Sequence, residues 1–175
     1  MFSLSSLRLA APLAAALLLA GCGQSSEPAA ATTASAPSAP VAATPEADLV
    51  NGRAAFVRVC AVCHQVTGQG VPGVFPPLVG SHLVTAADPG VAIRIVLHGL
   101  QGPIEVKGQT YNSAMPPQGP LLKDRDIADV LSYVRSSWGH SAPEVTEEQV
   151  KTVRRTVKRD TMWTWPELQK ATAGH

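Results

Sequence analysis

The chain has 175 residues, and its 14 Lys and Arg side chains nearly balance its 13 Asp and Glu side chains. Loss of Arg8 with a signal peptide would leave 14 − 1 = 13 basic side chains against 13 acidic ones. This balance excludes strong electrostatic steering as the basis of partner choice.

Residues 1–21 have the pattern of a secretory signal peptide. Arg8 precedes an apolar stretch over 9–20 that is too short to cross a membrane comfortably. Segment 19–22, Leu-Ala-Gly-Cys, resembles the bacterial lipoprotein lipobox. The resemblance implies cleavage before Cys22, lipid on that residue, and a mature protein anchored on the periplasmic side of the inner or outer membrane. The alternative is an ordinary signal peptide cut nearby, with Cys22 left as a spare thiol.

Residues 22–47 are rich in Ala, Pro, Ser and Thr and have no apolar pattern that would bury a core, so we expect a disordered linker. A small helical domain is predicted over 48–142. Asp48 can cap its first helix. The apolar positions predicted for that helix are Val50, Ala54, Phe56 and Val57.

Cys60, Cys63 and His64 form a Cys-x-x-Cys-His motif, the attachment signature of a c-type haem. The two thiols add to the haem vinyl groups, and the histidine that follows is the proximal iron ligand. A zinc half-site and a redox dithiol are the alternatives. Zinc needs a second pair of ligands and a thioredoxin-like dithiol needs a βαβ setting, and the sequence pattern favours neither. The motif therefore predicts one covalent haem c.

Two further helices are predicted in the domain. The first lies between Asp88 and Leu100, forms one wall of the haem crevice, and is followed by a loop containing Gly99, Gly102 and Pro103. The second is capped by Asp124 or Asp126. Its apolar residues recur at helical spacing and are Ile127, Val130, Leu131 and Val134.

With these elements the domain resembles the class I cytochrome c family. In that family the N-terminal and C-terminal helices cross through a glycine and an aromatic residue on one side and an aliphatic and an aromatic residue on the other. The matching residues here are Gly52, Phe56, Val130 and Tyr133. The resemblance implies an all-α fold with the haem in a crevice.

The same resemblance extends to residues 76–80, Pro-Pro-Leu-Val-Gly, which are similar to the loop beside the proximal face of the haem. It implies that the Pro76 carbonyl accepts a hydrogen bond from His64 Nδ1 and thereby orients the ring. Tyr111 is expected to form a hydrogen bond within the haem pocket or to a propionate, or else to pack against the loop that carries Met115.

Met115 is the candidate sixth ligand, because it lies 51 residues after His64 (115 − 64) and two prolines follow it in a polar loop. This segment resembles the Met-Pro loop of the family. The rivals are Met162, His82 and His98, which lack this proline-braced context. His140 and His175 are expected to be exposed and have no assigned role.

Residues 143–175 are predicted to form a helical C-terminal extension. Thr146 and Gln149 have capping-box spacing, as do Thr164 and Glu167. We expect Trp163 and Trp165 to be shielded from water, so the extension either folds back on the haem domain or docks on a partner subunit.

The sequence therefore predicts an electron carrier rather than an enzyme. Its expected partners are redox proteins, namely a periplasmic dehydrogenase, a nitrite reductase or a terminal oxidase, and no nucleic acid is expected for an exported protein. The apolar docking rim is predicted at Val71, Val74, Phe75 and Leu100. The alternatives are a cytochrome subunit fixed in a dehydrogenase complex, and a haem peroxidase or gas sensor whose iron is open.

Overall fold

The computed structural model describes residues 47–173. The predicted signal peptide, Cys22 and all of the linker except Ala47 lie outside this range, as does His175. Helices dominate the described residues, which confirms the predicted fold class, and four short strands accompany them. No helix between residues 47 and 173 has the length and apolar character needed to cross a membrane.

The first helical stretch has three parts, which are α1 (Leu49–Ala55), a π-helical segment (Phe56–Cys60) and α2 (Ala61–His64). As predicted, Asp48 is the N-cap, and its carboxylate accepts hydrogen bonds from the backbone N–H groups of Val50 and Asn51. These bonds satisfy two of the free donors at the helix start.

The predicted apolar face of α1 is wrong. Val50, Ala54 and Val57 point to solvent, and the exposed fractions of Val50 and Val57 are 82% and 46%. The buried face carries Gly52 and Phe56, with the neighbouring Ala55, which confirms the crossing residues that the family resemblance implies. The reason is that a close helix crossing requires a residue without a side chain, and the glycine therefore decides which face is buried.

The partner in this crossing is α5 (Asp124–Ser136). The predicted apolar face is confirmed, because Ile127, Val130, Leu131 and Val134 are all buried. The predicted cap is wrong. Lys123 is the N-cap, and Asp126 lies three residues later, where its carboxylate accepts the Lys123 N–H at 3.2 Å. The acidic group therefore satisfies a donor from inside the first turn.

Between these helices lie α3 (His82–Thr85), the predicted helix α4 (Gly90–His98), and three short strands. Strand β1 is Leu100–Gln101, and β2 (Ile104–Val106) pairs with β3 (Gln109–Tyr111) as an antiparallel hairpin. Lys107 and Gly108 both have positive φ at its two-residue turn. Such a turn matches the twist of paired strands and explains a hairpin that hydrophobic periodicity does not predict.

The C-terminal extension contains α6 (Glu147–Thr156), β4 (Trp163–Thr164) and α7 (Trp165–Thr172). Both predicted capping boxes are present. The extension packs on the domain: Val150 and Val153 join a core cluster with residues of α4 and α5, while Trp163 and Leu168 join a second cluster that includes Leu100. Of the two alternatives from the sequence, the extension takes the first and folds back.

Candidate functional site

A cavity of about 380 Å³ lies between the crossed helices, α4, the β2–β3 hairpin and the segment that carries Met115. This volume is within the usual range for small-molecule and cofactor sites. Four residues with donor atoms suited to haem line it, and these are Cys60, Cys63, His64 and Met115. Most of the remaining wall is apolar and includes Phe56, Val59, Leu83, Ile95, Val96, Ile104, Val106, Leu122, Val130, Leu131 and Val134.

The two cysteines are free thiols. They lie three residues apart on helical backbone and so share a face. Cys60 is the last residue of the π-helical segment, which ends with a hydrogen bond from the Ala61 N–H to the Phe56 carbonyl. Burial, with a smaller contribution from Cys63, raises the pKa of the Cys60 thiol to about 11. A redox dithiol requires the opposite shift, because the thiolate is its reactive form. Neutral sulfur in an apolar wall suits thioether attachment.

His64 is oriented by the loop that follows it. Its Nδ1 lies 3.0 Å from the Pro76 carbonyl oxygen, so that Nδ1 carries the proton and donates to the carbonyl. Burial lowers the pKa of His64, and the hydrogen bond to Pro76 opposes this shift without reversing it. The ring is therefore neutral, and Nε2 keeps the lone pair that a metal requires.

The proximal loop, residues 65–80, is closed by backbone hydrogen bonds around His64. Gly70 donates its N–H to the His64 carbonyl at 2.9 Å and has φ +66°. A Cβ on Gly70 would lie 2.6 Å from the Pro76 carbonyl oxygen. Glycine is therefore needed here to let the chain approach the carbonyl that orients His64.

His140 is a member of this site that the sequence analysis placed at the exposed surface, and that prediction is wrong. Its Nε2 accepts the Gly80 N–H at 2.9 Å, and its Nδ1 donates to the Val134 carbonyl at 3.0 Å. His140 thus ties the end of the proximal loop to α5. A long sequence separation, 60 residues from Gly80, hides this contact from local patterns.

Met115 is half-buried and held by a two-way backbone bridge to β1. The Leu100 N–H donates to the Met115 carbonyl at 3.0 Å, and the Met115 N–H donates to the Leu100 carbonyl at 2.8 Å. Tyr111 also lines the cavity and is buried, and its hydroxyl donates to Gln109 Oε1 at 3.1 Å.

The rival ligands do not line this cavity. His82 is exposed at the start of α3, whereas His98 and Met162 line a separate surface groove. The prediction that Leu100 belongs to the docking rim is wrong, because this residue is only 5% exposed and belongs to the core. Val62 and Val66, which the rim prediction did not include, are exposed apolar side chains within or next to the haem-binding motif, and their exposed fractions are 75% and 63%.

The donor set and the walls of the cavity fit a covalently attached haem. Two thiols, one neutral imidazole and one thioether face a space with a mostly apolar wall, and apolar surroundings with defined axial donors are what tune such an iron. Among residues 47–173, no group of three or more His, Cys, Asp and Glu side chains is arranged to hold a bare metal ion.

Comparisons with known proteins agree with this geometry. The family model of cytochrome c matches residues 49–138. A cytochrome c-552 of Thermus thermophilus is 44% identical over 103 residues, which cover 54% of this chain and 78% of the relative.

Longer proteins are also similar. The cytochrome c subunit of a quinone-type alcohol dehydrogenase from Gluconacetobacter polyoxogenes is 36% identical over 109 residues, 61% of this chain and 23% of that subunit. The cytochrome subunit of fructose dehydrogenase from Gluconobacter japonicus is 33% identical over 110 residues, 59% of this chain and 22% of that subunit.

Proposed function

Because the chain belongs to the cytochrome c family, whose members carry electrons on covalently bound haem c, we propose that it is a periplasmic electron carrier with one haem ligated by His64 and Met115. In this proposal Cys60 and Cys63 hold the haem through thioether bonds. Lipid on Cys22 anchors the protein to the membrane, and residues 22–47 serve as its tether.

One observation supports the ligation most directly. Cys60, Cys63, His64 and Met115, which lie up to 55 positions apart (115 − 60) in the chain, all line the same apolar cavity. When bound there, the haem iron would accept and release single electrons. His64 has its ring fixed by Pro76, and Met115 has its backbone fixed by Leu100, so both ligands are positioned before an electron arrives. Little reorganisation then accompanies transfer.

The partner we propose is a dehydrogenase of the periplasm. Support comes from the names of the relatives, two of which are cytochrome subunits of alcohol and fructose dehydrogenases. The exposed apolar residues Val62, Val66 and Val74 lie close in sequence to the haem-binding motif or on the proximal loop. They suit the small, transient interface of a redox encounter.

A second candidate is a subunit that stays bound within a dehydrogenase complex. The same relatives support it, because both are named as cytochrome subunits of dehydrogenases, and the matched region forms less than a quarter of each of them. Copurification separates the candidates. A carrier exchanges electrons with the dehydrogenase and elutes alone, whereas a fixed subunit elutes with the enzyme.

The ligation is tested by absorption spectra of the haem-loaded protein, with carbon monoxide added to the reduced form. We expect the weak long-wavelength band of a Met-ligated ferric haem and no carbon monoxide adduct. Met115→Leu should abolish the band and open the iron to carbon monoxide. Met162→Leu is the matched control, because Met162 lines the separate groove, and it should leave both results unchanged. An adduct in the unsubstituted protein would refute Met115 ligation and favour a peroxidase or sensor.

The anchor is tested separately in cells. Cys22→Ser should release the haem protein from the membrane fraction into the soluble periplasm while leaving its spectrum unchanged. Retention of the variant in the membrane fraction would refute lipidation at Cys22 as the anchor.

A further inference from the structure

We infer that the C-terminal extension is a positioning element for Met115, acting through Trp163 and Arg154. This inference rests on the proposed function, because it takes Met115 as the iron ligand. It gives the extension a role in the haem site that differs from general stabilisation of the fold.

The first contact runs through β1. Leu100 pairs with Met115 on one side and, in parallel register, with Trp163 on the other. The Trp163 N–H donates to the Gly99 carbonyl at 3.1 Å. Strand β4 of the extension therefore forms the outer edge of a small backbone layer in which β1 is central and Met115 is the opposite edge.

Arg159 fixes the outer edge of this layer. Its guanidinium carbon lies 3.6 Å from the centre of the Trp163 ring, and its Nη2 donates to the Met162 carbonyl at 3.2 Å and to Glu167 Oε2 at 3.2 Å. A stacked and hydrogen-bonded guanidinium limits the rotation of a tryptophan that is only 6% exposed.

The second contact acts on the loop that follows Met115. From α6, Arg154 donates Nη1 to the Gly119 carbonyl at 2.9 Å and Nη2 to the Leu122 carbonyl at 3.0 Å, while its Nε pairs with Asp124 at 2.5 Å. One side chain of the extension thus binds the last part of the Met115 loop and the start of α5. Arginine is suited to this because its donors point in fixed directions.

Apart from these contacts, the loop is held to α4 by backbone hydrogen bonds, from the Gln118 N–H to the Val96 carbonyl at 2.8 Å and from the Gly119 N–H to the Leu97 carbonyl at 3.3 Å. Pro116 and Pro117 line a surface groove of about 740 Å³, and Pro116 also lines the haem cavity.

The Met115 backbone also packs closely against Gly99. A Cβ at Gly99 would lie 2.6 Å from the Met115 carbonyl oxygen and 2.8 Å from Met162 Cγ. The position of Met115 therefore depends on the backbone bridge to Leu100 and on its loop, which is held by the bonds to α4 and by the contacts from the extension.

The inference is tested with the full-length, haem-loaded ferric protein and imidazole, which binds the iron only after Met115 leaves. Arg154→Met removes the hydrogen bonds to Gly119 and Leu122 and the ion pair with Asp124 while keeping an apolar stem. It should tighten imidazole binding by about tenfold or more, since the loss of two hydrogen bonds favours the displaced loop. Trp163→Leu should act in the same direction, which keeps the test valid if one variant fails to fold.

Two controls separate positioning from general stability. Arg155→Met makes the same substitution at the next residue, an exposed arginine paired with Glu148, and should change imidazole affinity by less than about twofold. Val150 is fully buried on α6 and does not belong to the cluster that contains Leu100 and Met115. Val150→Ala therefore removes buried side-chain volume away from that cluster. It should lower the free energy of unfolding and leave imidazole affinity within about twofold.

The outcomes distinguish this inference from the proposed ligation. A wild-type spectrum without Met ligation, or one that Met115→Leu leaves unchanged, overturns the ligation and this inference with it. A Met-ligated wild type in which Arg154→Met and Trp163→Leu bind imidazole as weakly as the wild type overturns only the positioning role. Val150→Ala tightening imidazole as much as Arg154→Met does would also overturn it, because the effect would then follow stability alone.

Discussion

Gly52 is the point at which α1 and α5 come closest, and Gly52→Ala tests whether that contact determines the crossing. A Cβ at this position would lie 2.7 Å from the Asp129 carbonyl carbon, closer still to its oxygen, and 3.0 Å from Tyr133 Cβ. Most of these atoms belong to helix backbone, so they cannot rotate away. The two helices would have to separate, which also strains the Asn51 Nδ2 to Asp129 hydrogen bond of 2.7 Å.

The magnitude follows from two opposing effects. Overpacking a well-packed contact costs about 1 to 3 kcal/mol, and occasionally more, whereas alanine gains up to about 1 kcal/mol over glycine in a helix interior. A clash with backbone belongs at the upper end, so we expect Gly52→Ala to lower the free energy of unfolding by about 1 to 3 kcal/mol. Urea unfolding of the haem-loaded protein, followed by far-ultraviolet circular dichroism, measures this difference.

The matched control is Ala54→Gly on the exposed face of the same helix. It isolates helix propensity and should cost up to about 1 kcal/mol with no packing contribution. Adding this value to the stability that Gly52→Ala loses gives the cost of the clash, because the alanine at position 52 offsets part of that cost through its higher helix propensity. If Gly52→Ala is as stable as the wild type or more stable, the close approach does not limit the crossing and the reasoning is refuted.

Two histidines give further predictions. His140→Phe should cost about 1 to 2 kcal/mol in urea unfolding, because it removes hydrogen bonds to Gly80 and Val134, whereas exposed His82→Phe should change stability by less than about 0.5 kcal/mol; equal effects would contradict the role given to His140. Burial, then repulsion by Arg159 and other arginines, lowers the pKa of His98. Its neutral form therefore stabilises the fold above the unfolded pKa of about 6.5, and this contribution is lost as pH falls through the lower folded pKa. Between about pH 7.5 and 5, wild-type stability should fall more steeply than that of His98→Gln, and parallel pH profiles would contradict this.

Local signals in the sequence predict much of this fold correctly. Asp48 as a cap and the two capping boxes of the extension depend on atoms within four residues of one another, so spacing is sufficient to predict them. The buried face of α5 is equally well predicted, because Ile127, Val130, Leu131 and Val134 sustain helical periodicity over two turns. The haem motif is also a local signal, because the chemistry of attachment fixes the spacing of its two cysteines and its histidine.

Features that depend on distant residues have no local pattern, and the two that are predicted correctly, the crossing at Gly52 and the hydrogen bond from His64 to Pro76, come from the family resemblance. The helical periodicity predicts the wrong buried face of α1, because apolar residues occur on several faces of this stretch. The approach of α5 selects the face that carries Gly52. Arg135 looks like a surface charge in the last turn of α5, yet it is fully buried and donates to the carbonyls of Pro143 and Val84. No local pattern identifies such an arginine, because its partners are carbonyls that any residue provides.

The same difference between local and distant contacts separates the two sides of the haem cavity. On the proximal side, Cys60, Cys63 and His64 occupy little more than one helical turn, and Pro76 lies 12 residues away. On the distal side, the position of Met115 depends on Leu100, which is 15 residues away (115 − 100), and on an extension that begins almost 30 residues later. Contacts of longer range cost more chain entropy to form. The position of Met115, the proposed distal ligand, therefore depends on contacts spread over a long stretch of chain. On the proximal side the contact of comparable range is that of His140 with Gly80, 60 residues apart, and it supports the loop beside His64.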